Sequence, residues 1–168
     1  MFPNYNNGIV DDELHVAEKF VNYLNQTYIK DFVLPSHPVE DRGIDALTQS
    51  KSNPAEILKM QIVSSDFKAK EQLGKEKTYE PIRDRTQKIM DTIVNPILHK
   101  SLRYSPDFKK DIVLVLDGWW TVRKEDLDYF KTHCLNSYLI LEDAGFKEIW
   151  FVSMKDGGPI YKLFPLLS

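Results

Sequence analysis

An aspartate, a lysine and a glutamine occur in a segment that otherwise has the pattern of two buried strands. The segment is GIDALTQSKSNPAEILKMQIV, residues 43–63, and the three polar residues are Asp45, Lys59 and Gln61. A hard cation such as Mg²⁺ prefers carboxylate oxygens and keeps water ligands for a phosphate substrate. A nearby lysine can hold a phosphate oxygen or help to activate water. These residue types suit metal-dependent phosphodiester hydrolysis, although one aspartate supplies few charged ligands.

The turn of this hairpin predicts which residues face one another. The polar turn SKSNP is centred near Ser52, and antiparallel pairing about that residue sets Asp45 opposite Lys59. Because opposed residues share a face and successive residues alternate, Asp45, Lys59 and Gln61 are expected on one face and Glu56 on the other. The alternative interpretation is a simple cross-strand ion pair, which contributes little stability when it is exposed.

The rest of the chain predicts the helices and strands that would position these residues. Apolar alternation and continuous apolar runs predict strands at 32–35, 43–49, 56–63, 111–116 and 148–153, with an edge strand near the C-terminus. Apolar residues three and four apart predict helices at 11–29, from about Pro81 with a kink at Pro96, and at 125–145 with Gly145 as the cap. This order predicts a single mixed-sheet α/β domain over residues 1–168, with a polar leader at 1–10 and a mobile loop at 67–80.

Composition limits the classes of function. The chain has 168 residues, a net charge of −3 and one cysteine. A protein that mainly coats nucleic acid is usually basic, so contact with DNA or RNA would need a local patch. A single cysteine excludes an intrachain disulfide, and no apolar run is long enough to span a membrane. We therefore expect a cytoplasmic protein without membrane contact.

The order of elements resembles a known superfamily. An α-β-β-β-α-β order through residue 117 is similar to the core of the PD-(D/E)XK nucleases, which have the restriction-endonuclease-like fold. Asp45 in GID matches the first-motif aspartate, and ILKMQIV occupies the place of the third-strand (D/E)-X-K motif. The resemblance covers residues 11–120, and the chain continues with an extra helix and strand. It implies a Mg²⁺- or Mn²⁺-dependent nuclease with Asp45 as metal ligand and Lys59 and Gln61 as catalytic residues.

The chain departs from this pattern at the third strand. Lys-Met-Gln at 59–61 stands where the family has acid-X-lysine. In such families a carboxylate from the first helix often completes the metal site, and Glu13 and Glu18 are the two candidates here. Both flank the apolar stripe of that helix, so the pattern does not favour either one. The alternative for each is a solvated charge on the helix surface.

Lys100 is a second candidate for the catalytic lysine. It follows Ile93 and Ile97 at helical spacing and therefore lies on the apolar face of the predicted second helix. On that face it could replace the missing lysine of the third-strand motif. The alternative is a lysine whose methylene groups cross the core edge while its ammonium group reaches water.

Three further residues are candidates for substrate contacts. Trp119 and Trp120 follow the central strand and could stack on bases if they are exposed, whereas the alternative is that they cap the core. Arg103 belongs to a cluster with Lys100, Lys109 and Lys110, which could track phosphates or could be a solvated face.

Three functions remain open from the sequence. The first is a metal-dependent nuclease with an altered motif. The second is a nuclease-fold module without catalysis, which binds nucleic acid, a protein partner or a second copy of itself. The third is an α/β protein unrelated to the nucleases.

Overall fold

The computed structural model describes residues 5–39, 43–64, 84–119 and 121–166. The described residues form one mixed sheet of five strands: β1 (Ala46–Gln49), β2 (Ile57–Ser64), β3 (Val113–Gly118), β4 (Glu148–Ser153) and β5 (Ile160–Phe164). The strands lie in chain order, and β2, β3 and β4 are parallel while the two edge pairs are antiparallel. The predicted mixed α/β class and the final edge strand are confirmed.

The helices are α1 (Tyr5–Thr27), α2 (Arg85–Ile89), α3 (Asn95–Ser101), α4 (Pro106–Lys109), α5 (Lys124–His133) and α6 (Leu135–Asp143). Helix α1 begins at Tyr5, so residues 5–10 of the predicted polar leader are helical. The predicted loop at 67–80 lies outside the described residues. No described helix is long and apolar enough to cross a membrane.

Two apolar clusters occupy the two faces of the sheet. Helix α1 packs through Ala17, Phe20 and Val21 against one face, to which β2 contributes Met60 and Ile62. The other face is covered by α3, α5 and α6, and the strand residues that they bury include Leu114 and Leu116. Because side chains alternate along a strand, each central strand supplies apolar residues to both clusters. The sheet therefore separates α1 from α3.

The predicted second helix is interrupted just before Pro96. A π-helical turn at Met90–Val94 lies between α2 and α3, and Pro96 is in the first turn of α3. Proline lacks the N–H that would bond to the carbonyl four residues earlier, so a local change of hydrogen-bond register is expected there. In place of the predicted kink at Pro96, the helix has a π-helical turn just before this proline.

Two other predicted elements differ in detail. The helix predicted over 125–145 divides at Cys134, whose backbone is not helical (φ −119°, ψ 48°) and whose side chain is buried. Gly145 has φ 88° and follows α6, as the prediction of a glycine cap requires. The segment predicted as a strand at 32–35 makes only isolated bridges, between Phe32 and Ser50 and between Ser36 and Leu47. Pro35 has no N–H to donate, so a continuous ladder cannot form through it.

Candidate metal site on the hairpin

The register of the β1–β2 hairpin differs from the prediction by two residues. Ala46 pairs with Met60 and Leu47 pairs with Lys59, so Asp45, one residue before β1, lies beside Gln61 rather than Lys59. The expected pairing of Asp45 with Lys59 is wrong. Because a shift of two residues preserves the alternation of faces, Lys59 and Gln61 still share one face of β2.

A cluster of polar groups fixes the turn that sets this register. The Asp31 carboxylate accepts hydrogen bonds from the Ser50 hydroxyl and, at 2.9 Å, from the Ser52 N–H. The Asn53 N–H donates to the Ser50 hydroxyl at 3.1 Å, and Ser50 N–H donates to the Glu56 carbonyl at 3.0 Å. The turn is therefore centred at Asn53 and closed from outside by a residue that precedes the hairpin.

Asp45 is held in place by both its backbone and its side chain. Its N–H donates to the Met60 carbonyl at 2.9 Å, and its carboxylate accepts the Ile62 N–H at 2.7 Å. The same carboxylate oxygen lies 3.7 Å from Lys100 Nζ, and the two side chains are 21 % and 14 % exposed respectively. Asp45 is thus a partly buried carboxylate with a positively charged neighbour from α3.

Gln61 supplies a second oxygen on this face. Its side chain is fully buried, and Nε2 donates to the Gly43 carbonyl at 2.5 Å. Within the described part of the chain, Oε1 is buried without a hydrogen-bond partner. Leaving a buried acceptor without a partner costs about 1–3 kcal/mol, so this oxygen is a candidate ligand for a cation.

Gly43 allows the chain to approach this cluster closely. It has φ 87°, and a Cβ added there would lie 2.8 Å from the Tyr104 ring. Tyr104 in turn lies under Lys100, with Nζ 5.8 Å from the ring centroid, and stacks on Phe108 at 5.1 Å. A larger residue at 43 would therefore displace the aromatic pair that supports Lys100.

Lys100 lies close to Asp45, and its role as a relocated catalytic lysine stays a prediction. Gln61 is aligned with Leu114 of β3, which belongs to the apolar cluster under α3. Asp45, Gln61 and Lys100 therefore come together on the α3 side of the sheet. Lys59 shares the Gln61 face but is paired with Leu47, so it lies two residues further along the hairpin from Asp45 than expected.

The two helix carboxylates lie on the other layer. Glu13 and Glu18 belong to α1, which packs on the face opposite to α3, and both side chains are half-buried. Among the described residues, no three His, Cys, Asp or Glu side chains are grouped so that they could hold a metal ion. A ligand set of Asp45 with Glu13 or Glu18 therefore stays a prediction.

The candidate substrate contacts have different positions. Trp119 is buried in the core cluster, so it lacks the exposure that base stacking requires and agrees with the alternative that it caps the core. Trp120 lies outside the described residues. Arg103 is exposed and contacts His99 at 3.1 Å, so it stays a candidate for phosphate contact. Lys109 is buried and donates to Ser101, so it is not part of a surface phosphate track.

The donor set can be compared with what a magnesium ion requires. Mg²⁺ in proteins is usually held by one or two carboxylates, with waters and substrate phosphates in the remaining positions. Asp45 and Gln61 supply one charged and one neutral oxygen, which fits a weakly held ion. Lys100 opposes cation binding, because its ammonium group already faces the Asp45 carboxylate. Two unit charges ~4 Å apart interact by about 4 kcal/mol at an effective dielectric constant of ~20.

Comparisons with known proteins found no match to this chain. No protein-family model matches the chain, and no curated protein and no solved structure is significantly similar to it.

Proposed function

We propose that this chain is a nuclease-like protein that hydrolyses phosphodiester bonds of DNA or RNA slowly, with Mg²⁺ or Mn²⁺ held weakly at Asp45 and Gln61. The observation that carries the proposal is the grouping of Asp45, Gln61 and Lys100 on one face of the sheet, at a 3.7 Å separation of the two charged groups. The restriction-endonuclease-like arrangement of the fold is part of the same proposal.

In the proposed hydrolysis, Asp45, Gln61 and Lys100 would have different roles. Asp45, fixed by the Ile62 N–H, orients one carboxylate oxygen toward the site, and Gln61 Oε1 offers the neutral oxygen. Lys100 would exchange its contact with Asp45 for a phosphate oxygen and so reduce the charge that develops in the transition state. A bound cation would supply Lewis acidity and a water molecule of lowered pKa.

The same geometry explains why the reaction should be slow. Among the described residues, Asp45 is the one charged ligand that the proposed site offers to the cation, and the Lys100 ammonium competes with the cation for it. Both effects weaken cation binding, so we expect activity only at metal concentrations well above those that a site with two carboxylates needs.

The alternative is a nuclease-fold module that binds nucleic acid or a protein partner without catalysis. The Asp45–Lys100 ion pair favours it, because a carboxylate that already accepts the Ile62 N–H and faces an ammonium group has a structural role. In that case Asp45 would hold α3 to the hairpin rather than bind a cation.

A metal titration of the native protein separates the two proposals. Calorimetry with Mn²⁺ should show one weak saturable site, and Asp45→Asn should remove it while the circular dichroism spectrum is unchanged. Asp107→Asn is the matched control, because Asp107 also faces a lysine at 3.7 Å but its side chain is 97 % exposed. Absence of saturable binding in the native protein rejects the metal site.

A cleavage assay tests the chemistry itself. Supercoiled, linear and single-stranded substrates are incubated with native protein, Asp45→Asn and Asp107→Asn over a range of Mg²⁺ and Mn²⁺ concentrations. Metal-dependent cleavage that is lost only in Asp45→Asn supports the nuclease proposal. Cleavage that survives in Asp45→Asn identifies a contaminating nuclease or a different site, and binding without cleavage favours the alternative.

A further inference from the structure

A cavity of about 440 Å³ lies at the carboxyl ends of the parallel strands β3 and β4. One wall is formed by residues 121–124, and the other by the turn between β4 and β5. Its polar lining residues include Lys88, Thr121, Arg123, Lys124, Ser153 and Lys155. Cavities of this size lie within the range that binds small molecules, about 300–1,000 Å³.

The lining concentrates positive charge in a protein that is acidic overall. Four of its residues are lysine or arginine, whereas the whole chain has a net charge of −3. Within the described residues, Arg123, Lys124 and Lys155 form no ion pair with a carboxylate, and all three are exposed. Lys88 differs, because its Nζ lies 3.1 Å from Asp126 and 2.8 Å from the Thr121 carbonyl.

The structure also fixes the walls that carry these charges. Asp126 accepts the Arg123 N–H at 2.9 Å and so caps the start of α5. On the other side, Lys19 of α1 donates to the Ser153 and Lys155 carbonyls at 2.7 and 3.2 Å. The first wall is therefore anchored to the buried Asp126 and the second to the partly buried Lys19 of α1, whose charge adds to the positive potential.

Glycines shape the second wall. Gly157 has φ 73° and open space where a Cβ would be, and Gly158 lies so close to the Ser153 side chain that a Cβ would clash with it. The turn consequently presents backbone rather than side chains beside Lys155. An anion can approach such backbone closely. The first turn of α5 already carries Glu125 and Asp126, so the charge that attracts an anion comes from the side chains of Arg123, Lys124 and Lys155.

We propose that this pocket binds a phosphate monoester group, held by Arg123, Lys124 and Lys155. Arginine and lysine side chains that line one cavity are the chemistry that selects phosphate over a neutral ligand. The group could be carried by a small phosphorylated metabolite or by the 5′ end of a nucleic acid strand. The pocket is independent of the hairpin site, because Gln61 is aligned with Leu114 and the pocket begins beyond Gly118, four residues further along β3.

The test compares charge loss inside and outside the pocket. Binding of inorganic phosphate and of a nucleoside 5′-monophosphate is measured by calorimetry and by amide chemical shifts at physiological ionic strength. The double variant Arg123→Gln, Lys124→Gln should weaken both by about tenfold or more, or 1.4 kcal/mol. The control Lys110→Gln, Lys147→Gln removes the same charge from exposed positions and should leave affinity within a factor of about two.

Oligonucleotides identify the source of the phosphate. A 5′-phosphorylated oligonucleotide that binds more tightly than both its 5′-hydroxyl form and the mononucleotide assigns the site to a nucleic acid end. Tighter binding of the mononucleotide assigns it to a small molecule. Absence of saturable phosphate binding, or equal weakening in the two double variants, overturns the proposal, and so does equal binding of both oligonucleotides when they bind at least as tightly as the mononucleotide. Should the pocket variant unfold, the single variant Lys155→Gln, on the other wall, replaces it.

Discussion

In the proposed cation site on the hairpin, Gln61 would limit the affinity for the cation because its amide oxygen carries no charge. Replacing Gln61 by Glu keeps the side-chain shape and puts a second carboxylate beside Asp45. We expect the affinity for Mn²⁺ to rise by at least about tenfold, because a second carboxylate adds a negatively charged oxygen ligand for the cation. The cost is stability, because the new carboxylate cannot donate to the Gly43 carbonyl.

Calorimetry and chemical denaturation measure both effects. Gln49→Glu is the control, because Gln49 is an exposed residue of the same hairpin. Equal Mn²⁺ affinity in the native protein and Gln61→Glu would mean that Gln61 does not face the cation.

Lys100 has two proposed roles that one substitution can separate. Lys100→Met removes the charge that competes for Asp45, so Mn²⁺ affinity should rise while any cleavage falls. The free energy of unfolding should drop by about 1–2 kcal/mol, between the values for exposed and buried ion pairs. Lys110→Met is the matched control, because its pair with Asp107 has the same 3.7 Å separation but side chains that are 65 % and 97 % exposed.

Thermal and denaturant unfolding report the stability change, and the supercoiled-substrate assay reports cleavage. If Lys100→Met cleaves as fast as the native protein, Lys100 has no part in the chemistry.

At the scale of elements, Asp126 joins α2 to α5. It is buried, accepts the Arg123 N–H, and pairs with Lys88 and Arg85 at 3.1 Å each. Burial by itself would raise the pKa of Asp126, but the Arg123 hydrogen bond and the two cations outweigh it, so the pKa is lowered. A carboxyl group whose pKa is lowered by folding stabilises the folded protein at pH values above its unfolded-state pKa of ~3.9. That stability is lost as the pH falls through the folded-state pKa.

Asp126→Asn should therefore cost about 2–4 kcal/mol at neutral pH, because it leaves Lys88 partly buried without its carboxylate. It should also reduce the loss of stability below about pH 4. Urea denaturation at several pH values measures both, with Glu125→Gln as an exposed control on the same helix. Parallel pH profiles for native protein and Asp126→Asn would contradict this account.

The strands and helices also show which structural features could be predicted from sequence patterns. The faces of β2 were predictable because alternation survives a register shift of two residues. The register itself was not, because the turn depends on Asp31, which lies 19 residues before Ser50. The break at Cys134 has no glycine or proline to indicate it, and the apolar spacing continues through it.

At the scale of the whole molecule, the sheet decides which candidate residues can act together. Strand and helix order predicted the mixed α/β class, because periodicity depends on local residues. The same order could not show that α1 and α3 pack on opposite faces, so Lys100 reaches Asp45 from the layer opposite to that of Glu13 and Glu18. Nor did any motif indicate the basic pocket, since its residues come from three separated segments.

The two proposed sites should behave independently. The strand positions of Leu114 and Gly118 differ by four residues, which at ~3.3 Å per residue separates the sites by about 13 Å along β3 alone. Substitutions further apart than ~7–10 Å with no shared partner usually act additively, and charge effects over this distance are largely screened at physiological salt.

Asp45→Asn should thus leave phosphate affinity unchanged within a factor of about two, and the Arg123→Gln, Lys124→Gln variant should bind Mn²⁺ like the native protein. Calorimetric titration of each variant with both ligands measures this. A loss of both ligands in either variant would show that the hairpin and the β3–β4 end form one site, which would extend across the sheet from Asp45 to Lys124.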